Sequence, residues 1–216
     1  MSMKVTLLEQ QGVHKGSQYK DLVKGSQKER KQMKLHFKKY EMIKTSQNIQ
    51  EGNSVVDKCE EYVQEMMKEK GIGCKKYNEP NLVIVVPGIE QVEKVYKQLL
   101  KKYKKFSGKS KSDAEYDIRI SKLWGKHLKP SDYESILEQK HENRKTKKVL
   151  NIYLGAPSRL NILANQKVLK IDQNYENFNY LIIDCSSNAK SDTTVFENNS
   201  TREDILEFLI QCKDAF

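Results

Sequence analysis

Apolar residues in this sequence occur both as short, nearly continuous runs and as longer stretches with helical spacing. Runs at 82–86, 149–154 and 180–184 are dominated by valine, isoleucine and leucine. Runs of this kind are typical of strands that are buried on both faces of a parallel sheet. A weaker run at 118–123 alternates between apolar and polar residues and predicts a further strand. We therefore predict four strands.

The stretches with helical spacing lie before, between and after these strands. Ser54 is placed to cap the first helix, and Pro157 to open a short helix after the third strand. The predicted helices cover residues 55–70, 89–103, 131–137, 157–163 and 201–213. Strands that alternate with helices predict an α/β fold, here a three-layer, doubly wound and mostly parallel sheet. In such folds the functional loops follow the carboxyl ends of the strands.

Charge divides the chain into two regions. The 216 residues have a formal net charge of +10, and residues 1–48 alone contain eleven basic and four acidic side chains. This first segment has few branched apolar residues, so we predict a basic, partly disordered arm at 1–50 and a globular domain at 53–216. Clustered lysine and arginine gain affinity for phosphates by releasing counterions, which favours nucleic acid as the partner of the arm. Lys28, Arg30 and Lys31 are its predicted RNA contacts, and a merely solubilising tail is the alternative.

Composition also excludes several classes of protein. The longest purely apolar run, Leu82 to Val86, is far shorter than the roughly 18 residues that a membrane helix requires. The first residues show no secretory signal pattern, so we expect an intracellular protein. The four cysteines are scattered without C-x-x-C spacing, which argues against a zinc site or a disulfide framework. We accordingly expect no membrane partner and no metal.

Three segments that follow the predicted strands contain short motifs in a characteristic order. They read Val86-Pro87-Gly88-Ile89-Glu90, Ala156-Pro157-Ser158-Arg159-Leu160 and Ile183-Asp184-Cys185-Ser186-Ser187. Their order and spacing over residues 55–213 resemble the first RecA-like lobe of DEAD-box RNA helicases. The resemblance implies a RecA-like sheet of the helicase first-lobe type, with RNA held at Pro157, Ser158 and Arg159. It also implies that Asp184 and Cys185 are the remnant of an acidic box.

Two departures from the helicase pattern argue against catalysis. The sequence contains no G-x-x-x-x-G-K-[ST] phosphate loop, so it lacks the lysine and the hydroxyl that hold triphosphate and magnesium. Cys185 stands where a carboxylate would activate water, and a thiol cannot replace that carboxylate. We therefore predict no enzyme activity, no cofactor and no small-molecule substrate.

One group of degenerate helicase lobes matches more closely. The segment Lys122-Leu123-Trp124-Gly125-Lys126-His127, followed by 153–160 and 181–184, resembles the Cms-one family. Members of that family are subunits of the small-subunit processome, or ninety-S pre-ribosome. The resemblance implies a non-catalytic ribosome biogenesis factor in the nucleus and nucleolus, which binds precursor ribosomal RNA and pre-ribosomal proteins during rRNA processing. It also implies that Lys122 and Lys126 lie at the RNA-binding edge.

Each functional interpretation has a competitor. Arg159 can grip an RNA phosphate through its always-charged guanidinium, or it can pair with an acid such as Asp184 and only stabilise its loop. For the whole chain the alternatives are a general RNA-binding protein and a partner-dependent ATPase or RNA helicase component. The missing phosphate loop argues against the ATPase.

Overall fold

The structure is a computed structural model, and it describes residues 4–8, 54–69, 79–107, 116–123, 132–133, 148–171, 178, 180–184 and 199–212. Its strands are β1 (Lys4–Leu8), β2 (Leu82–Val85), β3 (Tyr116–Lys122), β4 (Lys148–Gly155) and β5 (Tyr180–Asp184). Its helices are α1 (Val55–Lys68), α2 (Ile89–Ser107), α3 (Pro157–Asn165) and α4 (Asn199–Cys212).

The strands form one parallel sheet in the order β1-β5-β2-β4-β3. Four of them, β5-β2-β4-β3, are the four strands predicted from the apolar runs, and β1 adds to β5 at the edge. Every residue of β2 and β5 is buried. A strand buried on both sides tolerates no polar alternation, which explains why these two strands read as unbroken apolar runs.

Successive side chains of the strands point to opposite faces of the sheet, and each face is covered by two helices. Leu82 and Ile84 pack with α1 and α2, whereas Val83 and Val85 pack with α3 and α4. We call these the α1/α2 face and the α3/α4 face. The structure thus confirms the prediction of an α/β fold around a parallel sheet, with helices on both faces.

Local sequence signals fix the ends of the helices. The Ser54 hydroxyl accepts a hydrogen bond from the Asp57 amide and caps α1, as its position before the apolar stretch predicts. Pro157 occupies the first turn of α3, where its missing N–H costs nothing. The helix predicted at 131–137 lies outside the described residues except for Asp132 and Tyr133, which are helical.

The strand β1 was not predicted. Lys4–Leu8 lies inside the segment 1–50 that the sequence analysis assigned to a basic arm, yet its residues pair with β5 in parallel, from Lys4 with Tyr180 to Leu8 with Asp184. Residues 4–8 therefore belong to the sheet, a pairing that the apolar pattern did not predict. The remainder of the arm lies outside the described residues.

A buried asparagine joins the strands at their amino ends. The backbone N–H of Asn81 donates to the Asn151 carbonyl at 2.9 Å, and its carbonyl accepts from the Tyr180 amide at 3.1 Å. Its side-chain oxygen accepts from the Asn151 amide at 2.8 Å. The amino end of the sheet is thus held together by hydrogen bonds that join Asn81, just before β2, to β4 and β5.

Candidate functional site

The topology of the sheet changes direction at the carboxyl end of β2. From β2 the chain enters α2 on the α1/α2 face, whereas from the neighbouring β4 it enters α3 on the α3/α4 face. On the other side of β2, the chain that leaves β5 continues to α4, also on the α3/α4 face. Connections that diverge from neighbouring strands leave a crevice outside the strand ends, where α/β proteins usually bind ligands. We call this region the switch edge.

The middle of the switch edge is the turn between β2 and α2. The Val86 N–H donates to the Gly155 carbonyl at 3.1 Å, which keeps the ends of β2 and β4 together. Pro87 and Gly88 are half-buried, and the Gly88 carbonyl accepts from the Val92 N–H at 3.0 Å to begin α2. Backbone hydrogen bonds therefore fix the turn at its junctions with β4 and with α2.

Asp184 lies at the β5 side of the switch edge. Its side chain is only 4% exposed, and it accepts a hydrogen bond of 3.4 Å from the Gln91 amide of α2. This contact joins the end of β5 to the first turn of α2. Among the described residues no group of three or more acidic, histidine or cysteine side chains could hold a metal ion. Asp184 therefore acts in the described structure as a hydrogen-bond acceptor at the strand end.

The β4 side of the switch edge is formed by the start of α3. Gly155 is needed there because a Cβ atom at this position would lie 2.8 Å from Leu160 Cγ, closer than real contacts allow. Ala156 provides no side-chain cap for α3. Pro157 has no N–H, and the N–H groups of Arg159 and Leu160 donate to the Ala156 carbonyl at 3.1 Å, whereas Ser158 in the same turn is exposed. A helix start of this kind favours an anion.

Arg159 lies in the same first turn and reaches an aromatic ring. Its guanidinium carbon is 5.8 Å from the centre of the Tyr133 ring, within the range of a cation–π contact. Tyr133 is 5% exposed, and burial raises its pKa while the Arg159 charge acts in the opposite direction. The ring therefore supports the guanidinium at the start of α3, which presents a positive charge beside the switch edge.

Lys122 ends β3 and is held by α2. Its ammonium group forms an ion pair with Glu93 and lies 5.2 Å from the centre of the Tyr96 ring. Both partners belong to α2, so Lys122 fixes the outer strand β3 to that helix. Part of its charge is neutralised by Glu93, and its capacity to attract an RNA phosphate is correspondingly smaller than the sequence suggests.

Some of the predicted site residues lie together at the switch edge, and others lie outside the described residues. Pro157, Ser158, Arg159 and Asp184 lie at the ends of β4 and β5, which flank β2, and Lys122 lies at the end of β3 beyond β4. Outside the described residues are Lys126, Cys185, Lys28, Arg30 and Lys31. Sequence reasoning missed Gln91, Glu93 and Tyr133, whose partners are distant along the chain.

Comparison with protein-family models and with curated proteins finds no match to this chain. No described helix is both long and apolar enough to cross a membrane.

Proposed function

We propose that this chain is a non-catalytic RNA-binding assembly factor of early small-subunit biogenesis, built on a degenerate RecA-like lobe. Its partners would be precursor ribosomal RNA and pre-ribosomal proteins of the ninety-S particle, in the nucleolus. The observation that carries the proposal is the position of two motif segments. The K-L-W-G-K-H segment begins at Lys122, the last residue of β3, and the A-P-S-R segment at 156–159 follows β4, the neighbour of β3 in the sheet.

The chemistry at the start of α3 supports RNA as the ligand. Arg159 offers a delocalised, permanent charge that suits a phosphate, and the first turn of α3 favours the same kind of group. The two contributions come from one helix turn, so a single phosphate can meet both. Phosphate contacts of this type position a nucleic acid without reading its sequence.

Two features favour a binding role over hydrolysis of ATP. The sequence lacks a phosphate loop, and Asp184 is followed by Cys185 where a helicase has its general base. Asp184 itself is buried and accepts a hydrogen bond from Gln91, an arrangement that suits a strand-end acceptor. A protein with these features is expected to act by docking to RNA and protein.

The decisive experiment is affinity purification of the tagged protein after crosslinking, followed by sequencing of the bound RNA and identification of the bound proteins. We expect precursor ribosomal RNA to be enriched and the protein to sediment with ninety-S particles. Enrichment of bulk messenger RNA instead would favour a general RNA-binding protein. A clear rise in melting temperature with ATP and magnesium would overturn the non-catalytic assignment.

A matched pair of variants tests the role of the switch edge in the same assay. Arg159→Gln is expected to lower RNA affinity about tenfold, since a hydrogen bond to a charged group contributes about 1.5 kcal/mol or more. Arg119→Gln is the control, because Arg119 is also half-buried but lies on β3 in an ion pair with Asp117. Equal RNA affinity of the two variants would remove the switch edge from the proposed function.

A further inference from the structure

The outer side of α2 bears a row of three exposed lysines. Lys94, Lys97 and Lys101 are spaced three and four residues apart, which places them on one side of the helix. The opposite side of α2 buries Val92 and Leu99 against the sheet. The row therefore faces away from the core, and we call it the α2 lysine row.

Three acids near α2 form ion pairs with lysines outside the row. Glu93, one turn before Lys97, forms an ion pair with Lys122. Asp57 and Glu60 of α1 both pair with Lys102, on the flank of α2. Within the part of the chain that the structure describes, no ion pair involves a lysine of the row. Glu90, one turn before Lys94 on the same side of α2, offsets part of the charge of the three lysines, and the row remains a local excess of positive charge.

The spacing of the row fits a nucleic acid backbone. Seven residues of helix separate Lys94 from Lys101, which corresponds to about 10 Å along the axis at about 1.5 Å per residue. A stacked nucleic acid strand carries one charge per roughly 3.4 Å of its axis, so about three phosphate intervals cover the same distance. Each of the three lysines can then lie near a phosphate of one strand.

The row also begins close to the switch edge. Gln91, which binds Asp184 there, precedes Lys94 by less than one turn of α2. A strand of RNA that contacts the switch edge can therefore continue along the outer side of α2. This continuity distinguishes the row from an isolated surface lysine, whose charge is simply solvated.

We propose that the α2 lysine row is a second RNA contact surface, which binds the phosphodiester backbone of single-stranded RNA without regard to its sequence. The inference rests on the proposal that the chain binds RNA, but not on the identity of that RNA. It assigns to Lys94, Lys97 and Lys101 a share of the affinity that arises from counterion release.

The test measures the salt dependence of binding to two unrelated single-stranded RNA oligonucleotides of equal length, with the full chain. Each lysine that neutralises a phosphate on a single strand contributes about 0.7 to the slope of log affinity against log salt. The triple variant Lys94→Gln, Lys97→Gln, Lys101→Gln is expected to lower the slope by about 2 on both oligonucleotides. The double variant Lys97→Gln, Lys101→Gln is expected to lower it by about 1.4.

The control removes the same number of charges elsewhere. Lys68 ends α1 and Lys167 follows α3, and both are exposed. The double variant Lys68→Gln, Lys167→Gln is expected to leave the slope unchanged. Equal slopes for the two double variants, or no RNA binding by the unmodified chain at low salt, would overturn the inference. A slope that depends on the row in a protein that captures no precursor ribosomal RNA would overturn only the proposed biological role.

Discussion

The two helical layers cover opposite faces of one sheet, and the later helix of each layer, α2 or α4, exposes charged side chains of mainly opposite sign. On the α1/α2 face, α2 presents the lysine row at Lys94, Lys97 and Lys101. On the α3/α4 face, α4 presents the exposed carboxylates Glu203 and Glu207. The inner sides set how the helices pack, whereas the outer sides decide which layer attracts a polyanion. Under the proposed RNA binding, contacts with the outer side of α2 are therefore favoured over contacts with the outer side of α4.

The polar contacts between the two helices of a layer also differ between the two faces of the sheet. Lys102 of α2 pairs with Asp57 and Glu60 of α1, and all three side chains are at least 26% exposed. On the other face, Asn161 of α3 is 5% exposed and accepts from the Gln211 amide of α4 at 2.8 Å. Exposed ion pairs contribute little, while a buried amide is costly to leave unpaired. Substitutions of these polar side chains should therefore lower the free energy of unfolding more on the α3/α4 face than on the α1/α2 face.

The largest effect on the free energy of unfolding is expected at a buried apolar residue in the first turn of α3 and in the first turn of α2. Leu160 of α3 and Val92 of α2 are both fully buried, and each is the fourth residue of its helix. Leu160→Ala should lower the free energy of unfolding by about 3 kcal/mol, and Val92→Ala by about 2 kcal/mol, because both leave cavities. Urea denaturation followed by circular dichroism measures both values.

Gly155, which precedes α3, leaves no room for a Cβ atom beside Leu160. Gly155→Ala should cost about 1–3 kcal/mol because the new methyl group meets Leu160. In the double variant Gly155→Ala, Leu160→Ala, the methyl group has room. The double variant should therefore cost about 1 kcal/mol less than the sum of the two single variants. Strict additivity would show that Gly155 is not constrained by Leu160.

A smaller effect is expected from the polar contacts of the two layers. Asn161 binds Glu207, and its side-chain oxygen accepts from Asn165 and Gln211. Asn161→Ala should therefore cost about 2 kcal/mol in the free energy of unfolding. Lys102→Gln should cost less than about 1 kcal/mol, since its ion pairs are exposed to solvent. The same denaturation experiment tests both, and an equal or larger cost at Lys102 would reverse the comparison.

The order of the fold could be read from the sequence because its strands are buried on both sides. The prediction at 180–184 coincides with β5, and the apolar run at 82–86 is β2 with one residue more. In contrast, β1 is an edge strand that pairs only with β5, and its five residues lie in a segment dominated by charge. A short edge strand needs little apolar sequence, so composition concealed it.

The candidate site was accessible from sequence only where its chemistry is local. Pro157 and Arg159 share one helix turn, so their juxtaposition follows from spacing alone. The ion pair of Lys122 with Glu93 joins residues 29 positions apart, and the hydrogen bond of Gln91 with Asp184 joins residues 93 apart. Such pairs depend on how α2 crosses the sheet, which no local pattern encodes.

The smallest effect is expected from two aspartates whose pKa values shift in opposite directions. The hydrogen bond with Ser54, and further Lys102, lower the pKa of Asp57 below its ordinary value of 3.8. Burial, and further Glu207 and Glu203, raise the pKa of Asp204, although a hydrogen bond with Asn161 acts against them. Folding therefore favours the charged form of Asp57 and the neutral form of Asp204.

The signs of the two Asp→Asn substitutions should consequently differ at pH 7. Asp57→Asn should destabilise the protein and Asp204→Asn should stabilise it, each by roughly a few tenths of a kcal/mol because both groups contact solvent. The contribution of Asp57 is present above its ordinary pKa and is lost as the pH falls through the lower folded value. The destabilisation by Asp204 decreases as the pH falls through the raised pKa of its carboxyl group in the folded protein. It should therefore be lost at a higher pH than the stabilisation by Asp57. Unfolding free energies at pH 7, 5 and 4 distinguish the two courses, and equal signs at pH 7 would contradict the electrostatic difference between the layers.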